Sequence, residues 1–435
     1  MGDYKIYPNK LKGYIRIPPS KSMAHRAVIC ASLSEGISRL TNIDYSDDII
    51  ATIKAMESLG AVIVKKEDYL EVTGINNINN KQKNSFHNNR IIDCNESGST
   101  LRFIIPIASL FEGVNRFIGR GNLGKRPLDT YYSIFDEQGI NYSYKKGNLD
   151  LKIDGKLKSG EFKIKGNISS QFITGLLFTL PLLDGDSKIL ITTEMESKGY
   201  IDLTLSVIKD FGIEIINNGY KEFIIKGNQK YISRDYRVEG DYSQAAFFLC
   251  ANAVGNDVTV TDLKLDSLQG DKEVIDILER MGVKIENRNF GITVQVYGSL
   301  KSTVIDGSQC PDIIPVVALA ASLCQGTTEI VNAERLRIKE CDRLSAVTKE
   351  LNKLGADIKE KRDGLIINGV KSLKGGVEVW SHKDHRIAMT LAIASTVCEE
   401  PIIINDYECV SKSYPQFWED FRSIGGKFDE WNVGE

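Results

Sequence analysis

Lysines and arginines stand at the starts of candidate helices throughout this chain, beside small or hydroxyl residues. The stretches are PPSKSMAHRA with Lys21, Ser22 and Arg26; NESGSTLRF with Gly98 and Arg102; GKRPLD with Lys125 and Arg126; RIKECDRL with Lys339, Glu340 and Arg343; KDHRIAM with His385 and Arg386; and SKSYPQF with Lys412. Ser169, Ser170 and Gln171 add neutral donors at a corresponding place. A helix N-terminus presents free N–H groups and the positive end of the dipole, so a cation there does not stabilise the helix and instead helps build an anion site. Taken singly, each stretch has a plainer reading as a solvated charge or an N-cap. Recurring at the same end of similar units, the cations should converge on one cleft.

One stretch offers a competing chemistry. In IGRGNLGKRP, Gly119, Gly121 and Gly124 match a dinucleotide fingerprint, and Gly119, Gly124 and Lys125 match most of a phosphate-binding P-loop. A P-loop needs Ser or Thr after the lysine to hold Mg²⁺, and that position is Arg126. A dinucleotide fold needs an acid about twenty residues past the glycines, where Tyr144 stands. Both assignments fail on their confirming residue. The surrounding pattern predicts a strand over GVNRFIG, a glycine-rich turn, and an outer helix starting at Pro127.

The elements that must position these residues come from a repeat. A helical stretch, a glycine and a β-like run recur at Gly60, Gly139, Gly212, Gly282, Gly355 and Gly425. The glycine sits where a helix C-terminus needs left-handed backbone, and a hairpin follows, as in AVIVKKEDYLEVTG and INYSYKKGNLDLKIDG. The helices before the glycines carry one apolar face, as Val274, Ile277, Leu278 and Met281 show. A second helix per unit, over 23–33, 99–111, 171–183, 244–254, 313–324 and 386–397, is apolar or small nearly all round and should be buried. The expected fold class is α/β (α+β), with two similar domains, each of three βαβαββ repeats with inner buried and outer amphipathic helices. The expected domains are residues 22–239, and 1–21 with 240–435, with the active site in the cleft between them and the N-terminal strand completing the last repeat. INNINNKQKNSFHNNR reads as a polar loop.

Bulk properties exclude other classes. The 435 residues are 42% apolar and 26% charged, with a net charge of −3, which gives no global reason to bind nucleic acid. No run of about eighteen uncharged apolar residues appears, and MGDYKIYPNKLKG has no apolar signal core, so neither a membrane span nor export is indicated. The eight cysteines form no CxxC pair; Cys30, Cys250, Cys324 and Cys398 lie in apolar runs, as expected of buried thiols in a reducing cytoplasm.

PPSKSMAHRA, SGSTLRF, GKRP, SSQF, SKGYID, PDIIP, RIKECDRL, KDHR and SKSYP together resemble the 5-enolpyruvylshikimate-3-phosphate synthase family of enolpyruvyl transferases, in family order over essentially the whole chain. The resemblance implies transfer of the enolpyruvyl group of phosphoenolpyruvate to the 5-hydroxyl of shikimate 3-phosphate through a tetrahedral intermediate. It implies no metal or organic cofactor and no nucleic-acid or membrane partner, and a cytoplasmic monomer is expected. By motif, Ser22, Arg26, Ser169, Ser170, Gln171, Ser197, Tyr200 and Asp312 resemble the shikimate-phosphate contacts. Lys21, Gly98, Arg126, Arg343, Arg386 and Lys412 resemble the phosphoenolpyruvate contacts, with Lys21 and Gln171 shared between the substrates and Lys339 bridging to the first. Asp312 is expected beside the 5-hydroxyl and Glu340 as the proton shuttle at C3, with Lys21, Lys339 and His385 completing the catalytic set. His385 has an equal reading as a hydrogen-bonded structural histidine, and with His382 it is too thin for a metal site.

Two departures stand out: Ser97 and Ser99 flank Gly98 where well-known members read N-A-G-T-A-M-R, and Asn122 replaces an arginine present in some members. With Gly98 kept, the phosphoenolpyruvate mimic glyphosate is expected to enter. The alternatives are a UDP-N-acetylglucosamine enolpyruvyl transferase and a non-catalytic RNA-binding repeat protein. The first usually has a reactive cysteine where Gly121 stands, and the second needs a basic, aromatic face rather than dispersed cations. Cations on two domains would repel across an empty cleft, so closure should follow binding of the anionic substrates.

Overall fold

A computed structural model describes residues 2–75, 89–145, 147–288 and 291–431. Among the described residues the strands form six four-stranded sheets. The asparagine-rich tract expected to be a polar loop falls, over 76–88, outside the described residues.

The second repeat shows how each unit is built. Strand Asn89–Asp93 leads into the inner helix Gly98–Ala108, and Val114–Ile118 returns parallel to the first strand, with Ile92 opposite Phe117. The outer helix Asp129–Gln138 follows, then the hairpin Asn141–Tyr144 and Asp150–Asp154, whose second strand lies antiparallel to Val114–Ile118. The sheet order is therefore first, second, fourth, third, and all six sheets have it. Because the first two strands are parallel, the inner and outer helices both start at the same edge of the sheet, beyond the strand C-termini. That edge is where helix N-termini and their N–H groups accumulate in parallel pairs.

The chain ends are interleaved more than the sequence suggests. YKIYPNKLKGYIRI splits into two strands of different sheets. Asp3–Tyr7 lies antiparallel between Ile402–Asn405 and Lys427–Trp431 and completes the last repeat. Lys12–Arg16 pairs parallel with Asp257–Thr261 as the first strand of the fourth repeat. In the same way Asp235–Arg237 pairs parallel with Ile37–Thr41 and supplies the first strand of the first repeat. The chain divides into two compact units, residues 1–18 with 240–435, and 19–239. The first passage thus comes after Pro18, ahead of the boundary at residue 21 expected from sequence.

Each unit has its own hydrophobic core. The helix Tyr242–Ala253 is buried at every position and Ile314–Ala321 likewise, whereas the outer helix Glu273–Arg280 buries Val274, Ile277 and Leu278 and turns its charges outward. All six repeat glycines have positive φ, from 67° at Gly139 to 108° at Gly60, a conformation that lets the chain leave the outer helix and enter its hairpin.

The glycines of IGRGNLGKRP serve close packing. A Cβ on Gly124 would lie 2.4 Å from the backbone of Asn148 and Leu149, and one on Gly119 2.8 Å from the Asn95 carbonyl. The expected strand is present as Val114–Ile118; the outer helix begins at Asp129, two residues past Pro127, after a 3-10 turn over Leu123–Lys125.

Gly175, on the inner helix Ser170–Thr179, marks a close contact with the inner helix Gly98–Ala108. A Cβ there would lie 2.5 Å from both the Arg102 carbonyl and the Tyr131 hydroxyl, which are hydrogen-bonded to each other at 2.5 Å. Gly175→Ala should therefore lower the unfolding free energy by about 1–3 kcal/mol through overpacking. Denaturant titration checks this, and an unshifted midpoint would contradict the packing described.

Candidate functional site

In the unit of residues 19–239, the sequence-expected residues gather at helix N-termini. Lys21 is the first residue of Lys21–Leu33, whose N-cap Ser20 accepts from the Met23 N–H. Its Nζ pairs at 3.0 Å with Asp48, in the first turn of the outer helix Asp47–Ser58. Gly98 begins the next inner helix, and a Cβ on it would lie 2.4 Å from Arg126 Nη1. The Arg126 guanidinium therefore lies against the bare Cα of Gly98, at the positive end of that helix. Arg120 pairs with Asp93 at 3.4 Å and Lys125 is exposed, so Arg126 is the cation of this loop that meets the helix start.

Local hydrogen bonds explain the two unusual serines. Ser97 is the N-cap of Gly98–Ala108, buried, accepting from the Thr100 N–H at 3.2 Å and the Thr100 hydroxyl at 2.8 Å. Ser99 Oγ accepts from Gln171 Nε2 at 2.9 Å, while Arg102 Nη1 donates to Gln171 Oε1 at 2.8 Å. The Gln171 amide is thereby held at both ends. Ser169 caps the helix that Ser170 and Gln171 open, accepting from the Gln171 N–H at 3.3 Å.

Arg26 is more committed than its motif suggests. Buried over the Phe103 ring, it donates to Thr204 Oγ1 at 2.9 Å and to the carbonyls of Ser22 at 2.6 Å and Tyr200 at 3.0 Å. Burial brings its pKa down to about 10. Its first task is to tie two helix starts together, with one N–H on each terminal nitrogen left for a ligand. Ser197 is buried with left-handed backbone (φ 55°) at the start of Lys198–Asp210, the helix that carries Tyr200.

The unit of residues 1–18 and 240–435 holds an ion-pair cluster built on the buried Arg343, Asp384 and Arg386, with Asp312, Lys339 and Glu340 half-buried beside them. Asp312 Oδ1 accepts from Lys339 Nζ at 3.2 Å and Arg343 Nη1 at 2.8 Å, and its Oδ2 lies 3.7 Å from Arg386 Nη2. Burial pushes the Asp312 carboxyl up, but Lys339, Arg386 and Arg343 outweigh it and hold the group well below the usual carboxylate range. Asp312 is ionised: it can accept a proton and has none to give. Lys339 is pulled down by burial, against the attraction of Asp312.

Arg343, 1% exposed, is gripped by three carboxylates: Asp312, Glu340 Oε2 at 2.8 Å, and Asp384 at 2.8 Å to Oδ2 and 3.3 Å to Oδ1. Four of its five N–H groups are used, leaving one on Nη1. Lys339, Arg343 and Arg386 balance Asp312, Glu340 and Asp384 charge for charge. Lys339 and Arg386 make the longer of the Asp312 contacts, and Arg343 the shortest. His385 is buried as the first residue of His385–Ser395, its Nδ1 3.9 Å from Asp384 Oδ1, and Lys412 is buried at the end of the 3-10 segment Tyr407–Lys412.

Three carboxylates of these clusters escape a sequence reading: Asp48, Asp384 and Asp271. Asp384 caps His385–Ser395 through the Arg386 N–H at 2.9 Å. Asp271, in the 3-10 turn Gly270–Lys272, is buried and accepts from the Ser243 hydroxyl. Burial and the Asp312 charge raise its pKa to about 6, against the pull of Arg386. Each stands at or near a helix start, where an aspartate reads as an N-cap; that pattern is the available signal, and it does not reveal the cation partner.

The EPSP synthase family model (3-phosphoshikimate 1-carboxyvinyltransferase) matches residues 6–421. The chain is 76% identical to a 3-phosphoshikimate 1-carboxyvinyltransferase of Clostridium beijerinckii, covering all of both chains, and 67% identical to one of Clostridioides difficile, again covering all of both. Among solved structures it is similar to EPSP synthase from Acinetobacter baumannii, with a TM-score of 0.80 and 25% identity over 99% of this chain and 100% of that one.

Asp271 yields a test of the electrostatics. Its folded pKa of about 6 lies above the ordinary 3.8, so the unfolded chain releases this proton first and stability is lost as pH rises between those values. Asp271→Asn, which can still accept from Ser243, should leave stability unchanged at pH 4 and raise it at pH 7. Thermal unfolding at the two pH values decides this; an equal effect at both would contradict it.

Proposed function

Because the chain belongs to the EPSP synthase family, we propose that it transfers the enolpyruvyl group of phosphoenolpyruvate to the 5-hydroxyl of shikimate 3-phosphate, releasing phosphate. The observation that carries this reading is an ionised, half-buried Asp312 ringed by Lys339, Arg343 and Arg386, with Glu340 on the same arginine. Such a site offers a proton acceptor amid cations, which is what joining a hydroxyl to a phosphorylated, carboxylated enol requires.

In this reading Lys21, Gly98, Arg126, Gln171, Arg343, Arg386 and Lys412 receive phosphoenolpyruvate, and Ser22, Arg26, Ser169, Ser170, Gln171, Ser197 and Tyr200 receive shikimate 3-phosphate. Lys21 and Gln171 serve both, and Lys339 bridges to shikimate 3-phosphate. Asp312 takes the proton of the 5-hydroxyl as its oxygen bonds to C2 of phosphoenolpyruvate. Glu340, which takes up a proton from water as the anionic substrates bind, delivers it to C3, giving a tetrahedral intermediate with a phosphate and a methyl group on the former C2–C3 unit. Glu340 then recovers a proton from that methyl group as the C2–O bond to phosphate breaks and the double bond re-forms, and Asp312 passes the hydroxyl proton to the departing phosphate. The phosphates and carboxylates are neutralised by lysines and arginines, and Asp312 holds its role through charge and position. His385, beside Asp384, is placed to steady the capped helix start that presents Arg386. Cytoplasmic location is part of the same proposal.

Phosphate release with shikimate 3-phosphate and phosphoenolpyruvate tests this directly. Turnover is expected with that acceptor and none with UDP-N-acetylglucosamine; the reverse would establish the sister activity, and no turnover with either would leave a binding protein.

Gly98 supplies a sharper expectation. An alanine Cβ would fall 2.4 Å from Arg126 Nη1 and displace the guanidinium. Gly98→Ala should raise the KM for phosphoenolpyruvate about tenfold, the equivalent of about 1.4 kcal/mol of binding, and weaken glyphosate at least as much. Glyphosate should compete with phosphoenolpyruvate in the wild type; inhibition independent of phosphoenolpyruvate concentration would contradict the assignment of this half-site.

A further inference from the structure

Glu350 lies seven residues beyond Arg343 on the outer helix Arg343–Lys353, hence on the same face two turns on. It is buried, and its carboxylate collects three donors: Lys353 Nζ at 2.7 Å and the Trp380 backbone N–H at 3.0 Å on Oε2, and His382 Nε2 at 2.9 Å on Oε1. Burial alone would raise its pKa, but these donors outweigh it and bring the group down to about 2. An ionised carboxylate only accepts, so His382 Nε2 carries the hydrogen. None of these side chains is used by the transfer reaction set out above.

The segment they grip is strained. His382 and Lys383 are consecutive non-glycine residues with left-handed backbone, φ 53° and 56°. That region is sparsely populated for side chains with a Cβ and persists where the surroundings hold it. Asp384 and Arg386 follow directly. On the near side the Trp380 ring lies 4.2 Å from the His382 ring, its Nε1 donates to Asp406 at 2.9 Å, and Ser381 Oγ accepts from the Lys383 N–H at 3.2 Å. On the far side Asp384 is bound by Arg343 Nε at 2.8 Å. One helix therefore holds both ends of the turn, through Glu350 at one end and Arg343 at the other.

We propose that Glu350 and His382 are positioning residues: with the Asp384–Arg343 pair they strap the left-handed turn to the helix Arg343–Lys353, and so set where Arg386 meets the anionic substrate. The identity of that substrate rests on the proposed function; the strap does not.

The test compares wild type, His382→Ala, His382→Gln and Glu350→Gln by initial rates with each substrate varied, and by amide hydrogen exchange. His382→Ala should raise the KM for phosphoenolpyruvate about tenfold while leaving kcat and the KM for shikimate 3-phosphate within about twofold, the pattern of lost uniform binding at one subsite. Exchange over residues 380–384 should quicken while that of Tyr242–Ala253 stays unchanged. His382→Gln, which keeps a donor, should recover most of the effect, and Glu350→Gln should follow His382→Ala in direction. A KM for phosphoenolpyruvate within twofold of wild type in His382→Ala, or an equal rise in both KM values, would overturn the proposal. A wild-type protein that does not turn over would count against the function instead, and the exchange data alone would then decide the strap.

Discussion

The ion-pair cluster of residues 1–18 and 240–435 depends on one interaction, the clamping of Arg343 by Asp312, Glu340 and Asp384. Taking an arginine and three carboxylates out of water is costly, and their attraction offsets the loss only if the geometry is good and the remaining donors are satisfied. Here the contacts are 2.8 Å to each partner, and Lys339 and Arg386 supply the balancing charge. Removing one member would leave its partners buried and uncompensated, a loss of several kcal/mol in such networks. Arg343 fixes Asp312 and Glu340 in place, and Lys339, Arg386 and Arg343 together keep Asp312 ionised.

The fold makes this possible by simple means. Parallel first and second strands send the helices after them out from one sheet edge, so Asp312 and Arg386 near inner-helix starts and Arg343 at an outer-helix start come to the same side. The other unit applies the same plan with different side chains. There Lys21 is paired with Asp48, Gln171 is pinned between Ser99 and Arg102, and Arg126 leans on Gly98. One unit thus offers hydroxyls, an amide and helix dipoles, and the other a dense ionic cluster.

The repeat was legible in sequence because its markers are local. A glycine after an amphipathic helix and an all-apolar second helix each follow from backbone and burial requirements within a few residues, and Gly60 through Gly425 and Tyr242–Ala253 behave accordingly. Asp235–Arg237 was not legible: three residues are too few to define an alternating period, and pairing along Ile37–Thr41 makes them a strand. The cations were legible as a class, but their burdens were not. Arg26 and Arg343 read in sequence as ordinary helix-start cations, yet both spend most of their donors on the protein itself. Those partners are distant in sequence, as Thr204 is from Arg26 and Asp384 from Arg343, so no local pattern announces them.

In the proposed transfer, Glu340 of this ionic cluster adds and removes a proton at C3. The most direct measurement is proton NMR of phosphoenolpyruvate and product during turnover in deuterium oxide. Deuterium should enter the C3 positions only when shikimate 3-phosphate is present, and Glu340→Gln should slow that incorporation together with turnover. Product formed at the full wild-type rate with no deuterium at C3 would contradict addition and elimination at this site.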